Sequence, residues 1–465
     1  MEKTVRIGAG MGFYGDTIRP ALEVAKKGDV QYICFDALAE LTMAILEKAR
    51  KKDPSKGFTN DITLTMKTLL PECYPKGIKL ITNAGGINPK GAAQEVIRVA
   101  EELGFHDLKV GVVTGDDIHN RIGELQEKGI DFVEMGTGEL LEKYKDRMLF
   151  ASVYLGAQPI VEALRQGADV IVTGRTTDTA QFAAPLIYEF GWDFDEWNKI
   201  GAAILLGHLL ECSGQASGGN FSGDWWNIEG IDQIGYPIGE VHEDGTFYIT
   251  KAPGTGGKIN VDTVKEQFLY EIHDPSNYIT PDAIVDFTTA ILEDVGPDRV
   301  KVSNVTGKPA PPTLKALIGY ENGWSGEGML GYTWPHALEK ARKAEQILRT
   351  QIEKHGIQAN AIHTSFLGYN SMHGPMAKQV QTDELNEVYL RIAIQTDEKG
   401  EAAKLGRLLP PLAINGPPFG GGGLGGMQRP RQLLGLFSCL IDRHVIENTV
   451  QVRIYEAKKG VTIQS

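Results

Sequence analysis

Residues 5–36 read VRIGAGMGFYGDTIRPALEVAKKGDVQYICFD, in which a short apolar run, a glycine cluster and a segment of helical period follow one another. A strand is predicted at Val5–Ile7, a helix at Thr17–Lys27 and a second strand at Gln31–Phe35. This is the order of a βαβ unit, in which a covering helix joins two parallel strands. The stretch therefore indicates an α/β fold that contains a parallel sheet.

The same alternation of strand and helix continues as far as residue 213. Short apolar runs are separated by longer segments of helical period, which is typical of doubly wound α/β sheets. We therefore predict that residues 1–213 form an α/β domain with a mainly parallel, doubly wound sheet. Its further strands are predicted at Ile78–Thr82, Lys109–Thr114, Asp131–Glu134, Leu149–Val153 and Asp169–Thr173.

The regular alternation of predicted strands and helices ends after residue 213, where glycine-rich segments at 218–219 and 254–257 separate shorter strands. Helices become fewer in this part of the chain. The run Pro417–Gly426 is dominated by glycine and proline, and such a run cannot pack a core. We therefore predict that residues 214–465 form a second, α+β domain with glycine-rich loops.

Composition limits the class of protein. The chain has 465 residues, of which 42% are hydrophobic and 23% charged, as expected for a folded protein with sizeable cores. The formal net charge of −13 argues against nucleic acid as a partner. No apolar run approaches the about 18 to 20 residues of a membrane helix, and the N-terminus lacks the apolar segment of a signal peptide. We expect a cytoplasmic protein that acts without a membrane.

The cysteines and histidines point to no metal site. The four cysteines form no Cys-x-x-Cys pair, so neither a disulfide framework nor a structural zinc site is predicted. His208 and Glu211 have the i, i+3 spacing of two metal ligands, but an interior hydrogen-bonded pair is the commoner use of this spacing. Cys212 is interpreted as a small packed side chain. The sequence identifies no cofactor.

Glycines and polar residues directly follow five of the predicted strands. Ligands of open parallel sheets bind beyond the carboxyl ends of the strands, because loops and helix N-termini gather there. A ligand cleft is therefore predicted at this edge of the sheet. Its candidate residues are Gly12, Asp16, Asp36, Asn83, Gly85, Gly86, Asp116, Asp117, Arg175 and Thr176.

Three of the carboxylates are predicted to be catalytic. Asp36 is expected to transfer a proton, with Asp16 or Asp117 nearby. Asp36 and Glu40 have i, i+4 spacing, so their like charges either raise one pKa for acid–base chemistry or repel unless a cation lies between them. Asp16 could equally cap the helix that follows it. Asp116 or Asp117 could cap the helix that begins at Ile118, but two adjacent acids are more than one cap requires, which favours a functional role for one of them. Arg175 is expected to bind an anionic group of the substrate, because a guanidinium can hold a carboxylate or phosphate through two hydrogen bonds.

The other candidates are predicted to bind the substrate. Asn83 and the two glycines after it could instead form a tight strand-to-helix turn. Asn220 lies in the glycine loop that follows a predicted helix. Lys251 stands beside a Pro-Gly-rich segment whose amides could bind a carboxylate or phosphate, although a simple turn between strands is an equal alternative.

A glycine pattern near the N-terminus offers a further alternative. Gly10, Gly12 and Gly15 match the dinucleotide-binding fingerprint, and Asp36 occupies the place of the ribose-binding acid. Asp16 at the helix start would oppose a pyrophosphate, and the glycines come late relative to so short a strand. An NAD(P)-dependent oxidoreductase therefore stays an alternative with weak support.

Taken together, eight segments of the chain resemble the acyclic terpene utilisation AtuA family. The similarity runs along nearly the whole chain, and its motifs are specific as a set. The family takes its name from gene clusters that degrade branched terpene acids through CoA thioesters. The matching segments are Gly12–Asp16, Phe35–Met43, Asn83–Pro89, Gly115–Asp117, Thr173–Arg175, Gly207–Phe221, Gly235–Pro237 and Pro253–Gly257.

The resemblance and the candidate residues together suggest a catabolic enzyme. We expect a lyase of the hydratase or dehydratase type that acts on a branched-chain carboxylic acid or its CoA thioester. The alternative is a non-catalytic subunit that binds an acyl-CoA or organises a catabolic complex. Some family members carry a small additional C-terminal domain, so the resemblance also implies a small partner protein in trans or a homo-oligomer. A small anionic substrate or an acyl-CoA is the expected ligand.

Overall fold

The computed structural model describes residues 3–378, 380–381, 385–418, 420–421, 429–458 and 463. The opening stretch forms a βαβ unit, as predicted. The strands are β1 (Thr4–Met11), β2 (Tyr32–Phe35), β3 (Lys79–Thr82), β4 (Lys109–Thr114), β5 (Met148–Val153), β6 (Val170–Thr173), β7 (Pro237–His242), β8 (Phe247–Lys251), β9 (Tyr278–Ile279), β10 (Ile284–Asp286), β11 (Ile291–Gly296), β12 (Arg299–Ser303), β13 (Thr306–Lys308), β14 (Thr313–Thr333), β15 (Ala361–Leu367), β16 (Glu387–Thr396), β17 (Gly420–Gly421), β18 (Arg431–Asp442) and β19 (Gln451–Glu456).

Helices alternate with these strands in the first part of the chain and become fewer later. The helices are α1 (Arg19–Lys27), α2 (Glu40–Lys52), α3 (Ile62–Cys73), α4 (Pro89–Leu103), α5 (Ile122–Glu127), α6 (Gln158–Arg165), α7 (Ala180–Phe190), α8 (Trp197–Glu211), α9 (Val261–Phe268), α10 (Ala337–Lys354), α11 (Lys399–Leu408), α12 (Leu412–Asn415) and α13 (Arg443–Glu447). No described helix is long and apolar enough to cross a membrane.

Five neighbouring strands of a ten-stranded sheet run parallel, in the order β1-β2-β3-β6-β4. Strand β5, which follows β4 along the chain, lies outside this sheet and pairs with β14. The next strand along the chain, β6, lies between β3 and β4. The strand predicted at Asp131–Glu134 does not form. This segment turns back on itself, and Val133 makes only an isolated bridge with Leu140.

Antiparallel strands extend both edges of the parallel block. β7 pairs with β1 from Thr4 to Gly8, and β8, β12 and β11 follow outward. β19 pairs with β4 at the other edge. The fold is therefore mixed α/β with a mixed sheet: the parallel strands form as predicted, but a doubly wound, mainly parallel sheet is not confirmed. The physical reason is that edge strands expose backbone groups that need partners, which later parts of the chain supply.

The chain divides into two compact units. One comprises Met1–Gly319 and Leu436–Ser465, and the other comprises Tyr320–Gly435. This division does not coincide with the boundary predicted at residue 213, because β7, β8, β11 and β12 belong to the sheet of the first unit. Residues 214–319 therefore extend the N-terminal sheet instead of starting a separate domain.

In the second unit an antiparallel sheet carries helices. β16 pairs with β14 and β15, and α10 and α11 pack against β16. Alternate residues of β16 (Val388, Leu390, Ile392 and Ile394) are buried in the core with the apolar side of α10. This arrangement is of the α+β kind expected for the later part of the chain. Most of the glycine run Pro417–Gly426 lies outside the described residues.

Helix α8 positions two polar residues inside the first unit. It is apolar around its whole circumference and almost wholly buried, since it packs against α7, α9 and the sheet. His208 and Glu211 are its buried polar side chains, and both lie in its last turn. Gly207 permits close packing there, because a Cβ atom would lie 2.9 Å from the Cα atom of Thr179, just before α7.

Candidate active site

The carboxyl ends of the parallel strands place five of the predicted residues along one edge. In the order of the strands, these residues are Gly12, Asp36, Asn83, Arg175 and Asp116. The Asp36 amide donates a hydrogen bond to the Met11 carbonyl oxygen at 3.1 Å, which fixes the first two strand ends to each other. The structure brings these residues together as the sequence predicted, whereas their functional roles stay predictions.

Asp36 is a buried carboxyl held by its neighbour Asn83. The Asn83 Nδ2 group donates to Asp36 Oδ1 at 2.6 Å, and Asn83 Oδ1 accepts from the Ala37 amide at 2.7 Å. Burial and then the charge of Asp178 raise the pKa of Asp36 well above its ordinary value, although Arg175 and the Asn83 hydrogen bond act in the opposite direction. The environment therefore favours a carboxyl that binds a proton readily.

Arg175 is a buried cation beside this carboxyl. Its guanidinium donates to the Leu38 carbonyl oxygen at 2.8 Å and forms an ion pair with Asp178 at 3.0 Å. It also lies 4.2 Å from the ring centroid of Tyr154, in a cation–π contact. Only 2% of the residue is exposed, while its Nε atom has no partner in the described part of the chain. The side chain is held firmly, and one donor stays available.

Asp178 and Glu211 complete an acid cluster with Asp36. Partial burial raises the pKa of Asp178 despite the opposing charge of Arg175. Burial, followed by the charges of Asp178 and Glu271, raises the pKa of Glu211 well above its ordinary value. Three carboxyl groups therefore share one buried guanidinium, and they cannot all ionise readily.

Sequence reasoning left Asp178 and Glu211 out of the site. Asp178 follows Arg175 by three residues, a spacing that could have suggested an ion pair with a buried arginine. The sequence pattern indicates Glu211 only as a partner of His208, and the long separation along the chain from Asp36 gives no signal that the two are neighbours. The close packing of Gly12 against the end of α8 brings them together, since a Gly12 Cβ atom would lie 3.0 Å from the Glu211 carbonyl oxygen.

Glu40, in contrast, is an ionised group at the margin of the cluster. It accepts a hydrogen bond from the Tyr154 hydroxyl at 2.7 Å and lies 3.4 Å from Lys315 Nζ. Although burial opposes ionisation, these donors and the charge of Arg175 lower the pKa of Glu40 to about 2. The side chains of Glu40 and Asp178 are 38% and 35% exposed, so the cluster is open to solvent on this side.

Asp116 supports the loop that carries Arg175. Its carboxylate accepts a hydrogen bond from the Arg175 amide at 2.8 Å and packs against Gly174. Burial raises the pKa of Asp116 to about 7, although backbone donors act against the shift. Its contacts therefore favour a role in positioning the loop over direct contact with a substrate.

Many buried polar atoms around the acid cluster lack a hydrogen-bond partner among the described residues. In folded proteins such atoms are rare, because an unsatisfied buried polar group costs about 1 to 3 kcal/mol. Most of them lie in residues 175–181 and 208–217, and a ligand or water could complete their hydrogen bonds. The atoms belong to Arg175, Thr176, Thr177, Thr179, Gln181, His208, Glu211, Gln215, Ser217 and Gln267.

Two predicted catalytic carboxylates have local partners instead. Asp16 accepts hydrogen bonds from the Gly12 and Thr17 amides, at 3.0 and 2.7 Å, and from the Tyr236 hydroxyl at 2.8 Å. Asp117 accepts from the His119 amide at 2.9 Å, and its side chain is exposed. These contacts favour the capping alternative for both residues.

The predicted binding residues also differ in whether their described contacts leave them available to a ligand. Thr176 is fully buried, and its hydroxyl is one of the atoms that lack a described partner. Gly85 packs against the Thr173 carbonyl oxygen and Gly86 against Leu46. Both glycines therefore shape the turn after β3.

Asn220 and Lys251 contact residues outside the acid cluster. Asn220 is exposed, and its amide contacts Gln215 Oε1 at 3.4 Å. The Lys251 ammonium donates to the Thr255 carbonyl oxygen at 2.8 Å and pairs with Asp298 at 3.0 Å. Its charge is thus already partnered, which favours the turn alternative for this segment.

The structure also bears on the alternatives of a metal and a dinucleotide. Among the described residues, no three His, Cys, Asp or Glu side chains are arranged to hold a metal ion. Gly10 lies within β1, where its Cβ position is filled by the ring of Phe35, and Asp36 is engaged by Asn83. Gly10 and Gly12 thus serve internal packing, whereas Gly15 adopts a positive φ of 92°.

Comparison with known proteins places the chain in a family. The chain has no significant match among curated proteins or among solved structures. Residues 5–452 match the family described as acyclic terpene utilisation family protein AtuA. This match spans nearly all of the chain and both compact units, and the protein therefore belongs to the AtuA family.

Proposed function

We propose that this protein is a lyase of the hydratase or dehydratase type, acting on a branched-chain carboxylic acid or its CoA thioester. The observation that carries the proposal is the buried Asp36 carboxyl, fixed by Asn83 and placed beside Arg175 in a cluster of carboxyl groups. The description of the AtuA family supports a branched, terpene-derived substrate. The protein is proposed to work in the cytoplasm, with a small partner protein or as a homo-oligomer.

Asp36 is suited to remove a proton from carbon. A carboxylate whose pKa is raised by burial is a stronger base than one in water, and general bases work best with a pKa near the working pH. The hydrogen bond from Asn83 fixes the position of Oδ1, which leaves the second carboxylate oxygen of Asp36 for the substrate. Asp36 therefore takes the proton from the carbon next to the carbonyl group.

Arg175 is suited to hold the carbonyl oxygen of the substrate. Leu38 and Asp178 hold two of its nitrogens, and Nε lacks a partner among the described residues. A fixed donor of this kind stabilises the negative charge that develops on oxygen as the proton leaves carbon. Charge-assisted hydrogen bonds of this kind are shorter and stronger than neutral ones.

The charge of the cluster favours the thioester over the free acid. The four acids Asp36, Asp178, Glu211 and Glu40 face two cations, the buried Arg175, which is already paired with Asp178, and the partly exposed Lys315, which lies 3.4 Å from Glu40. A substrate carboxylate would add a further negative charge where carboxyl groups already retain protons. The neutral carbonyl of a thioester adds none.

The test is a screen of branched 2-enoyl-CoA and 3-hydroxyacyl-CoA thioesters, following the ultraviolet absorbance of the conjugated enoyl group. On any thioester that turns over, Asp36→Asn is expected to lower the rate by about 10²- to 10⁴-fold, the usual contribution of a general base. Asp282→Asn is the matched control. Asp282 is also a buried aspartate with a raised pKa, but it lies at the start of α6, and its replacement should leave the rate unchanged.

The same screen separates the alternatives. Thioester binding without turnover would favour the non-catalytic, acyl-CoA-binding subunit. Turnover that survives in Asp36→Asn at more than about a tenth of the wild-type rate would remove Asp36 from the reaction, because that loss lies below the range of a general base. Fluorescence titration with NADH and NADPH tests the oxidoreductase alternative directly.

A further inference from the structure

His208 and Glu211 form a buried polar pair that the proposed roles of Asp36 and Arg175 leave unused. His208 Nδ1 lies 2.9 Å from Glu211 Oε1, and the two residues are 2% and 9% exposed. The far atoms of the pair, His208 Nε2 and Glu211 Oε2, have no partner among the described residues. Each residue is thus bound at one end only.

The surroundings fix this pair in place. The Gln267 side-chain amide donates to the His208 carbonyl oxygen at 2.7 Å, and the rings of Tyr278 and Phe287 lie 5.7 and 5.6 Å from the imidazole. Gly12 approaches the Glu211 backbone from β1. The pair is therefore held by packing and by backbone contacts, and neither residue can move far from the acid cluster.

A purely structural pair would be expected to satisfy both of its ends. Removing polar groups from water is costly, and buried side chains usually complete their hydrogen bonds. Every other inward position of α8 is apolar, so a leucine or methionine pair would pack there at lower cost. The two free atoms therefore point to a role for the pair in binding or chemistry.

The protonation of the pair follows from its surroundings. Burial lowers the pKa of His208 to about 4, so the imidazole is neutral at neutral pH. Burial, with the charges of Asp178 and Glu271, raises the pKa of Glu211, while Arg175 opposes the shift. In the tautomer that carries its proton on Nδ1, the neutral His208 donates to Glu211 Oε1, so a protonated Glu211 holds its acid proton on Oε2.

We propose that Glu211 is the second proton-transferring group of the site, the acid that protonates the leaving hydroxyl group, and that His208 positions it. This inference rests on the proposed lyase function. Asp36 removes the proton from carbon 2, the electron pair of that C–H bond forms the carbon–carbon double bond, and the C–O bond at carbon 3 breaks. The leaving oxygen takes the proton of Glu211 and departs as water. Proton transfer from Asp36 to Glu211 through solvent restores the starting state.

The first test needs no substrate. Infrared spectra of the full chain at neutral pH are recorded in the region where protonated carboxylic acids absorb. Glu211→Gln, which keeps the size of the side chain, is expected to lose part of this absorbance, whereas Asp282→Asn keeps it. His208→Leu removes the donor to Oε1 and should shift the Glu211 band to higher frequency, and His208→Gln, which retains a donor, should restore it. A spectrum unchanged by Glu211→Gln overturns the proposal.

The second test distinguishes the general acid from the general base by changing the leaving group of the substrate. 3-Hydroxybutanoyl-CoA needs a proton on its leaving group, whereas 3-chlorobutanoyl-CoA releases chloride without one. Glu211→Gln is expected to lose about 10²- to 10⁴-fold in water elimination and to retain chloride elimination, while Asp36→Asn loses both. Glu211→Asp keeps the acid but shortens the side chain, so it should retain the infrared band and eliminate water slowly.

The outcomes of the two tests distinguish the two proposals. Water elimination by Glu211→Gln at the wild-type rate would show that Glu211 is not the acid. Equal loss of both reactions in Glu211→Gln, in a folded protein, would assign it a role in binding instead. A wild-type protein inert toward both thioesters would count against the lyase function, while the infrared spectra would still decide whether Glu211 holds the proton.

Discussion

Two regions of the first unit each place a buried aspartate near an arginine, yet they differ in whether the polar groups around the aspartate have hydrogen-bond partners. Asp282 accepts the Ala157 amide with both carboxylate oxygens, at 2.9 and 3.1 Å, and Arg443 binds the Pro281 and Pro311 carbonyl oxygens. Around Asp36 and Arg175, in contrast, two further acids and many unpartnered polar atoms gather. A raised pKa occurs in both regions, so it does not by itself mark an active site.

The comparison indicates that unsatisfied polar groups, and not a raised pKa alone, distinguish a candidate active site from a structural site in this fold. At Asp282 the local backbone satisfies the carboxylate, and the start of α6 is stabilised as a result. Around Asp36, several carboxyl groups lie beside one buried guanidinium and few hydrogen-bond donors. Burying them there lowers the stability of the fold in the absence of a ligand. Natural proteins retain such costs mainly where function requires them.

The largest expected effect on stability concerns the two arginines. Arg175→Ala should lower the free energy of unfolding by about 2 to 4 kcal/mol, because it removes the buried guanidinium that pairs with Asp178 and donates to Leu38. The 35% exposure of the Asp178 side chain limits the cost of leaving this carboxyl without its partner. Arg443→Ala should cost only about 1 to 2 kcal/mol, since its partners are the neutral carbonyl oxygens of Pro281 and Pro311 and the partly exposed Glu447. Urea denaturation of both variants is the measurement. Equal losses would break the comparison and make the acid cluster an ordinary structural site.

A smaller effect should appear in the pH dependence of stability. Burial raises the pKa of Asp282 to about 6, from an ordinary value of about 3.9. Well below pH 4 both the folded and the unfolded state hold the Asp282 proton, and the contribution of this carboxyl to stability is at its full value. As pH rises to about 6 the unfolded state ionises first, so this contribution falls by up to about 1.4 kcal/mol per pH unit.

Asp282→Asn should remove this decline over that window. Asp36→Asn should change the profile differently, over a broader range, because Asp36 titrates together with Asp178 and Glu211. Urea denaturation at several pH values between about 4 and 7 tests both statements. Identical profiles for the two variants would contradict the view that one aspartate titrates alone and the other in a group.

The smallest effect extends the comparison to a third carboxylate. Asp16 resembles Asp282 in that its oxygens are taken by the Gly12 and Thr17 amides and by the Tyr236 hydroxyl. Asp16→Asn replaces one acceptor oxygen by a donor and should cost about 1 to 2 kcal/mol of unfolding free energy. Thermal and urea denaturation measure it. A variant as stable as the wild type would mean that these hydrogen bonds contribute little, and would reopen a chemical role for Asp16.

Sequence reasoning identified the strand ends but not the whole site. Asp36, Asn83 and Arg175 were found because residues that directly follow parallel strands meet at one edge, whatever the order of the strands. Asp178 lay within the same segment as Arg175 but was not singled out. Glu211 could not be found in this way, since it lies at the end of a helix whose packing depends on the complete core.

The amino-acid sequence by itself determined the α/β character of the first 213 residues, the positions of β1, β2, β3, β4 and β6, and the convergence of their polar ends. These features are encoded locally, in hydrophobic period and in the residues next to each strand. The tertiary structure alone decided that β5 leaves the sheet, that β7 and β19 close its parallel block, and that Glu211 joins Asp36. Edge pairing and helix packing are choices among distant partners, and they depend on the burial and backbone satisfaction of the whole fold.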